Sequence, residues 1–451
     1  MPWSFRPTIY CTEEAAEFQR PVGLPGERGS RGLRKLADVR EDGFHGIERE
    51  EDVKGRSLLM IPGPVEFEPE VYQALGAPTT SHLAPSFVEA FGRALEAMRE
   101  VWLCPSGQPF VVAGSGTFAM ELAGANLVEP GDRAVVVSTG VFGERFADLL
   151  GRHGAEPCVL RADVGGSVDL DRIEDELRKK PTSLLTVTHV DTSTGVRMPI
   201  AALGEIARRH GAIGVVDGVC SVAGEEIRQE KWDLDVVLTA SQKAIGVPPG
   251  LALLVASPRA LERFAARRHA VRSYYADWSK WLPVMRGYEA RTPGYFGTPA
   301  VNLVAALDVS LRRILEEGMS ARFVRHATMA DAFQSGVVAL GLRQVPADPE
   351  HRAHTLTACY LPEGVSGPAF LQAVAAAGVV VAGGLHPDLR ECTFRVGHMG
   401  TVCASDVLAA LGAIEAGLRA VGCEVESGAG VAAAARAFAA GAARSKDAES
   451  G

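Results

Sequence analysis

Residues 236–258 of this 451-residue chain read VVLTASQKAIGVPPGLALLVASP, and they hold the strongest clue to the fold. Two short apolar runs, residues 236–239 and 251–255, have the length and composition of buried strands. Between them lies Lys243, the only charged residue of the stretch. Burial lowers the pKa of a lysine, so a neutral, nucleophilic amine becomes available near neutral pH. The stretch therefore predicts a reactive lysine, although a lysine that reaches solvent from a loop gives the same pattern.

Similar apolar runs recur upstream and alternate with segments of helical periodicity. Strands are predicted at residues 110–113, 134–138, 184–188 and 213–216, and helices at residues 119–127, 143–153, 170–179 and 200–210. Strands that are apolar on both faces and alternate with helices are typical of a mostly parallel, doubly wound sheet. We therefore predict an α/β fold that binds its ligands at the carboxyl ends of the strands.

The composition divides the chain into four predicted parts. These are a partly irregular N-terminal extension (1–56), a large domain (57–315), a smaller C-terminal α+β domain (316–423) and an Ala/Gly-rich tail (424–451) that is either helical or frayed. The net charge of −9 argues against nucleic acid or an anionic membrane as a partner. No apolar run reaches the roughly 18 residues of a membrane span. Because neither a secretion signal nor a C-terminal peroxisomal tripeptide is visible, we expect a cytoplasmic or mitochondrial protein.

Two charged residues accompany predicted strands. Asp217 ends the strand at residues 213–216, one strand–helix unit before Lys243. There its carboxylate can hold a protonated pyridine nitrogen, or cap a turn. Arg395 lies in a predicted strand between apolar residues, where a guanidinium needs an anionic partner. That partner is either a substrate carboxylate or the carboxylate of a structural ion pair.

The segment 114–117, GSGT, follows a predicted strand and opens a helix, as in many phosphate sites. With the next two residues it also fits G-x-G-x-x-A, the dinucleotide fingerprint, and therefore raises a nicotinamide-dependent oxidoreductase as an alternative. The acidic residue that should end the second strand is missing, because Asp132 precedes that strand. A phosphate site is thus better supported than a dinucleotide site.

Polar and aromatic residues follow two further strands. Phe142 can stack on a flat ring or pack in the core, and Thr192 can donate a hydroxyl to a ligand oxygen. His189 and Asp191 could suggest a metal pair, but no third ligand is nearby in the sequence, so we predict no metal site.

Together these motifs resemble those of the class V, fold-type I, pyridoxal-phosphate (PLP) aminotransferases, most of all the fungal-type alanine–glyoxylate aminotransferases. In family order they are IPGPVEF (61–67), FVVAGSGT (110–117), STGVFGERFAD (138–148), TVTHVDTSTGV (186–196), VVDGVCS (215–221), LTASQKAIGVPPGL (238–251), YFGTP (295–299), VVVAGGLH (379–386) and FRVGHMG (394–400). The resemblance covers about residues 57–420. It implies a seven-stranded, mostly parallel sheet in the large domain, a PLP cofactor, and a homodimer with an active site shared between subunits.

The resemblance also implies a role for each matching residue. Lys243 would hold the cofactor as a Schiff base and transfer the substrate proton, and Asp217 would pair with the ring nitrogen. Other cofactor contacts would be Ser115, Gly116, Thr117 and Gln242 at the phosphate, Tyr295 and Thr298 at the same phosphate from the second subunit, Phe142 on the ring and Thr192 at the ring hydroxyl. Gly63, Pro64 and Arg395 would bind the substrate, with Arg395 on its carboxylate. Phe142 and Thr117 replace the Trp and His usual in animal members, as in the fungal type.

The activity implied is transfer of the amino group of L-alanine to glyoxylate, which yields pyruvate and glycine and serves glyoxylate detoxification or glycine synthesis. Serine–pyruvate or serine–glyoxylate transamination is the alternative within the family. Alanine and serine differ by one hydroxyl, and a pocket discriminates such pairs only modestly, so the sequence leaves the amino donor open.

Overall fold

The computed structural model describes residues 57–449, and the side chains of residues 57–441. Its helices are α1 Pro69–Leu75, α2 Pro85–Val101, α3 Gly116–Leu127, α4 Val141–Arg152, α5 Leu170–Lys179, α6 Ile200–Arg209, α7 Pro258–Ala265, α8 Trp278–Glu289, α9 Val301–Glu317, α10 Met319–Ala339, α11 Gly367–Ala376, α12 Ala404–Ala420 and α13 Ala429–Glu449. Its strands are β1 Leu58–Leu59, β2 Gln108–Gly114, β3 Arg133–Ser138, β4 Glu156–Arg161, β5 Leu184–Thr188, β6 Ile213–Asp217, β7 Val236–Ala240, β8 Gly250–Ala256, β9 Leu356–Tyr360, β10 Val379–Val380, β11 Ala382–Gly383 and β12 Thr393–Gly397. The predicted N-terminal extension lies outside the described residues.

A seven-stranded sheet in the order β2-β8-β7-β6-β5-β3-β4 forms the larger core. Only β8 runs against its neighbours, and the other six strands share one direction. This confirms the predicted α/β fold with a mostly parallel sheet. Strands β5, β6 and β7 are buried along their whole length, which explains their uninterrupted apolar sequences.

Several elements of the fold are not predicted from the sequence, and strand β4 and helix α10 are two of them. Strand β4 lies at the edge of the sheet, and its exposed residues, such as Glu156 and Arg161, give it no continuous apolar run. Helix α10 begins directly after Gly318, whose φ of +82° ends α9 and turns the chain. Strand β4 is held by β3 and α4, which directly precede it, whereas α10 packs on α12 and α13, which are remote in sequence.

A second apolar core surrounds the antiparallel sheet β11-β12-β9. Phe333, Phe370 and Phe394 are fully buried there. Of the two alternatives for residues 431–443, the structure shows the helix: α13 packs on α10 and α12 and buries Ala434 completely. The predicted domain boundaries stay predictions. Within residues 57–449, no helix is both long and apolar enough to cross a membrane.

Candidate active site

The carboxyl edge of the large sheet carries a cavity of about 270 Å³. Its walls come from the loops after β2, β3, β5, β6 and β7, which are parallel strands of the large sheet that end on the same edge, and from the loop after β1. The predicted site residues that line it are Gly63, Pro64, Ser115, Gly116, Thr117, Phe142, Thr192, Gln242 and Lys243. The tertiary fold thus brings together motifs that are spread over 180 positions of the sequence.

Lys243 lies in the loop after β7, where its Nζ donates a hydrogen bond to the Pro62 carbonyl. The neighbouring Gly63 has a φ of +120°, and a Cβ there would lie 2.6 Å from the Cδ and 2.8 Å from the Nζ of Lys243. Only glycine therefore leaves room for the lysine. Burial lowers the pKa of Lys243, and the positive charge of Arg395 acts in the same direction. The neutral amine expected from the sequence is favoured.

Asp217 ends β6 and is only 2 % exposed. Its Oδ1 accepts a hydrogen bond from the Val219 amide (3.0 Å), and its Oδ2 accepts one from Thr188 Oγ1 (3.3 Å). Burial raises the pKa of Asp217 to about 6, and the negative charge of Asp191 adds to this effect. A buried carboxylate of this kind favours a cationic partner, such as a protonated ring nitrogen.

One end of the cavity is suited to a phosphate. Ser115 precedes α3, but its hydroxyl makes no capping bond to the helix. A Cβ on Gly116 would lie 2.8 Å from Val219 Cγ2, so the backbone approaches closely here. Gln242 Oε1 is buried without a hydrogen-bond partner. The Ser115 hydroxyl and the amides at the start of α3 are donors that fit a phosphate, and Gln242 could contribute to such a site only through its side-chain NH2 group.

The backbone of Phe142 is held by Asp191, which the sequence suggested only as a possible metal ligand. Its backbone amide donates to Asp191 Oδ2 (3.0 Å), while Asp191 Oδ1 accepts from the Ser193 amide (2.9 Å). Asp191 therefore positions the aromatic loop. Within the described part of the chain, no group of three His, Cys, Asp or Glu side chains is arranged to hold a metal ion.

Arg145 lines the cavity and is not predicted from the sequence. Its guanidinium carbon lies 4.7 Å from the centroid of the Phe142 ring, and its Nη1 donates to Thr117 Oγ1 (2.9 Å). Its position three residues after Phe142 in α4 is the available signal, because side chains at that spacing share one helix face.

Arg395 lies in β12, which belongs to the second core. Its side chain reaches Thr192, one of the residues that line the cavity. Its Nε donates to the Gly383 carbonyl (2.9 Å), and its Nη1 donates to the Thr192 carbonyl (3.2 Å). No carboxylate among the described side chains lies within salt-bridge distance of its guanidinium. The structural ion pair considered as an alternative is therefore not found in this part of the chain.

Tyr295 and Thr298 lie in the segment between α8 and α9, outside the lining of the cavity. Tyr295 is 66 % exposed, and its hydroxyl lies 3.4 Å from Thr298 Oγ1. Their role at the phosphate of a second subunit stays a prediction.

The family model for class-V aminotransferases matches residues 67–407. The chain belongs to this family. Alanine–glyoxylate aminotransferase 1 of Saccharomyces cerevisiae is 39 % identical over 364 residues, 78 % of this chain and 94 % of the yeast protein. Serine–glyoxylate aminotransferase of Arabidopsis thaliana is 31 % identical over 386 residues, 84 % of this chain and 94 % of the plant protein. The solved structure of an alanine–glyoxylate aminotransferase from Nostoc sp. superimposes with a TM-score of 0.76 at 32 % identity, covering 81 % of this chain and 96 % of its own.

Class-V aminotransferases are PLP-dependent enzymes that act on amino acids and oxo acids, so this chain is a PLP-dependent transaminase. The predicted family, enzyme class and cofactor are confirmed. The oxidoreductase alternative is wrong. Its fingerprint requires a strand within a parallel βαβ unit, whereas β2 pairs only with the antiparallel β8.

Proposed function

We propose that this enzyme transfers the amino group of L-alanine to glyoxylate and forms pyruvate and glycine. The observation that carries the proposal is the guanidinium of Arg395, which is partly buried near the cavity of Lys243 and has no carboxylate partner among the described residues. A substrate carboxylate would supply that partner. The name of the yeast relative supports both alanine and glyoxylate as substrates.

The cavity favours a donor with a short, uncharged side chain. Its volume is about 270 Å³, and because PLP itself would occupy much of this space, little of it is left for a long donor side chain. Among the described residues, its lining contains only two basic side chains, Lys243 and Arg145. Lys243 is required for the reaction, and Arg145 donates to Thr117 at the phosphate end of the cavity, so neither is placed to bind a second substrate carboxylate. Alanine therefore fits better than a dicarboxylic amino acid.

Bound PLP supplies an aldehyde that accepts the amino group and a ring that accommodates the electron pair left at the substrate Cα. In our proposal Lys243, whose neutral form is favoured by burial, removes the proton from the substrate Cα. It then delivers this proton to C4′, the cofactor carbon that is bonded to the transferred nitrogen. Asp217 holds a proton on the ring nitrogen. Arg395 orients the substrate by its carboxylate and thereby selects the Cα–H bond that faces Lys243.

The remaining residues would position the cofactor. Phe142 would cover one face of the ring, and Thr192 would contact the ring hydroxyl. The phosphate would bind at Ser115, Gly116, Thr117 and Gln242. The start of α3, which no side chain caps, supports this assignment. Gly63 and Pro64 would border the substrate.

The half-reaction tests the proposal directly. PLP-loaded enzyme is mixed without oxo acid with L-alanine, L-serine or L-aspartate, and the visible absorption band of the cofactor is followed. We expect L-alanine to bleach the band fastest and glyoxylate to restore it. Faster bleaching by L-serine would instead favour the serine alternative, which the plant relative's name supports. A cofactor band that no amino acid bleaches would contradict transamination by this site.

We also propose that the enzyme is a homodimer in which Tyr295 and Thr298 reach the partner's cofactor phosphate. The high exposure of Tyr295 in the single chain supports this assignment. Sedimentation of the wild type together with PLP affinity of Tyr295→Phe would test it: a monomer, or an unchanged affinity, would contradict it. The compartment, cytoplasm or mitochondrion, stays a prediction.

A further inference from the structure

Arg145 lies in α4 and lines the active-site cavity, but the transamination proposed above gives it no task. Two contacts hold its guanidinium in place. Nη1 donates a hydrogen bond to Thr117 Oγ1 (2.9 Å), and the guanidinium carbon lies 4.7 Å from the centroid of the Phe142 ring. The side chain therefore reaches from α4 to the first turn of α3.

The positive charge of Arg145 has no anionic partner within residues 57–441. No carboxylate of this part of the chain lies within salt-bridge distance of the guanidinium, and the neighbouring Glu144 pairs instead with Arg161 (2.8 Å). An arginine has five N–H donors, and the bond to Thr117 uses one of them. An anion at this end of the cavity would meet both a positive charge and free donors.

The hydrogen bond from Arg145 leaves the proton of the Thr117 hydroxyl free. A threonine hydroxyl donates one hydrogen bond and also accepts, whereas an arginine can only donate. Thr117 Oγ1 is therefore the acceptor toward Arg145, and among the described residues its hydroxyl has no second partner. Thr117 is the second residue of α3. A phosphate at the start of this helix is thus placed to accept the free proton.

The phosphate of a bound cofactor also needs positive charge. A phosphate monoester carries about −1.5 to −2 charges at neutral pH, and a helix N-terminus offers only about +0.5. Of the two basic side chains in the described lining of the cavity, Lys243 donates to the Pro62 carbonyl and is required for the reaction. Arg145 is the one that remains to balance the phosphate.

We propose that Arg145 is a positioning residue for the cofactor phosphate. It orients the Thr117 hydroxyl as a donor to the phosphate and adds positive charge at that end of the cavity. Its contact with the Phe142 ring holds the guanidinium at the required place. The proposal rests on the PLP dependence of the family and holds whichever amino acid is the donor.

Equilibrium binding to the cofactor-free enzyme tests the proposal, with tryptophan fluorescence as the signal. The two ligands are PLP and pyridoxal, which lacks the phosphate. We expect Arg145→Gln to bind PLP at least about tenfold more weakly than the wild type and to bind pyridoxal equally well. Arg152→Gln is the matched control, because Arg152 is also an exposed arginine of α4 but does not line the cavity. It should leave the affinity for both ligands unchanged.

A double-mutant cycle tests the route through Thr117. Both side chains are exposed, so their replacement leaves no buried group without a partner, and circular dichroism should stay native. In the Thr117→Val background, Arg145→Gln should weaken PLP binding only about threefold, because the oriented hydroxyl is already absent.

Three results would overturn the proposal. An unchanged PLP affinity of Arg145→Gln would show that the guanidinium does not serve the phosphate. An equal loss for PLP and pyridoxal would assign Arg145 to the shape of the pocket. A full tenfold loss in the Thr117→Val background would exclude the route through the hydroxyl. These titrations contain no amino acid, so their outcome is independent of whether alanine is the donor.

Discussion

Asp217 leads to a prediction about the stability of the cofactor-free enzyme. Burial raises its pKa from an ordinary 3.8 to about 6. The native state therefore binds this proton more tightly than the unfolded state, and the free energy of unfolding falls as the pH rises from about 4 to about 6. Above that window the charged carboxylate costs the native state about 3 kcal/mol. We expect Asp217→Asn to remove most of this cost at neutral pH and to make the cofactor-free protein more stable.

The assay is urea unfolding followed by tryptophan fluorescence, at one protein concentration and without PLP. The gain in free energy of unfolding should approach about 3 kcal/mol near pH 8 and shrink toward zero near pH 4. Asp163→Asn, which neutralises an exposed carboxylate, is the matched control and should change little at either pH. An Asp217→Asn variant with unchanged stability, or with the same gain at both pH values, would refute the reasoning. In the loaded enzyme the same substitution should weaken PLP binding, because the ring nitrogen loses its anionic partner.

Three further substitutions test the active site. Lys243→Ala should abolish transamination while its circular dichroism spectrum stays native. Borohydride should attach PLP covalently to the wild type only. Turnover of the variant at the wild-type rate would disprove the role of the lysine. Arg395→Ala should raise the KM for L-alanine at least about 30-fold, because a charge-assisted contact with the substrate carboxylate is lost. The absorption of the cofactor should stay unchanged. An unaltered KM would rule out the carboxylate contact. Gly63→Ala should lower kcat strongly, because the new methyl group would lie 2.6 Å from Lys243 Cδ. Gly412→Ala is the control and should leave kcat unchanged, because its methyl group meets no atom within 4 Å.

The regular elements of the chain follow closely from local patterns. Helix α5 and strand β5 have the bounds that periodicity predicts, because each carries a clear apolar face or run. Elements that are held by pairing or packing with another element, and not by a local apolar pattern, are harder to predict. Strand β4 is held by pairing with β3, and α13 is anchored where Glu415 accepts hydrogen bonds from the Gly428 amide (2.9 Å to each oxygen).

The sequence by itself determined the chemistry. A lysine in an apolar stretch, an aspartate at the end of the preceding strand and a Gly/Ser-rich helix start are local features, and the family that their motifs resemble implies the reaction class. Only the tertiary structure decided how these groups meet. It showed that Gly63, whose positive φ favours glycine, lies directly against the Lys243 side chain and that Asp191 holds the Phe142 loop. Such contacts depend on strand order and on packing between remote segments, which the pattern of neighbouring residues does not specify.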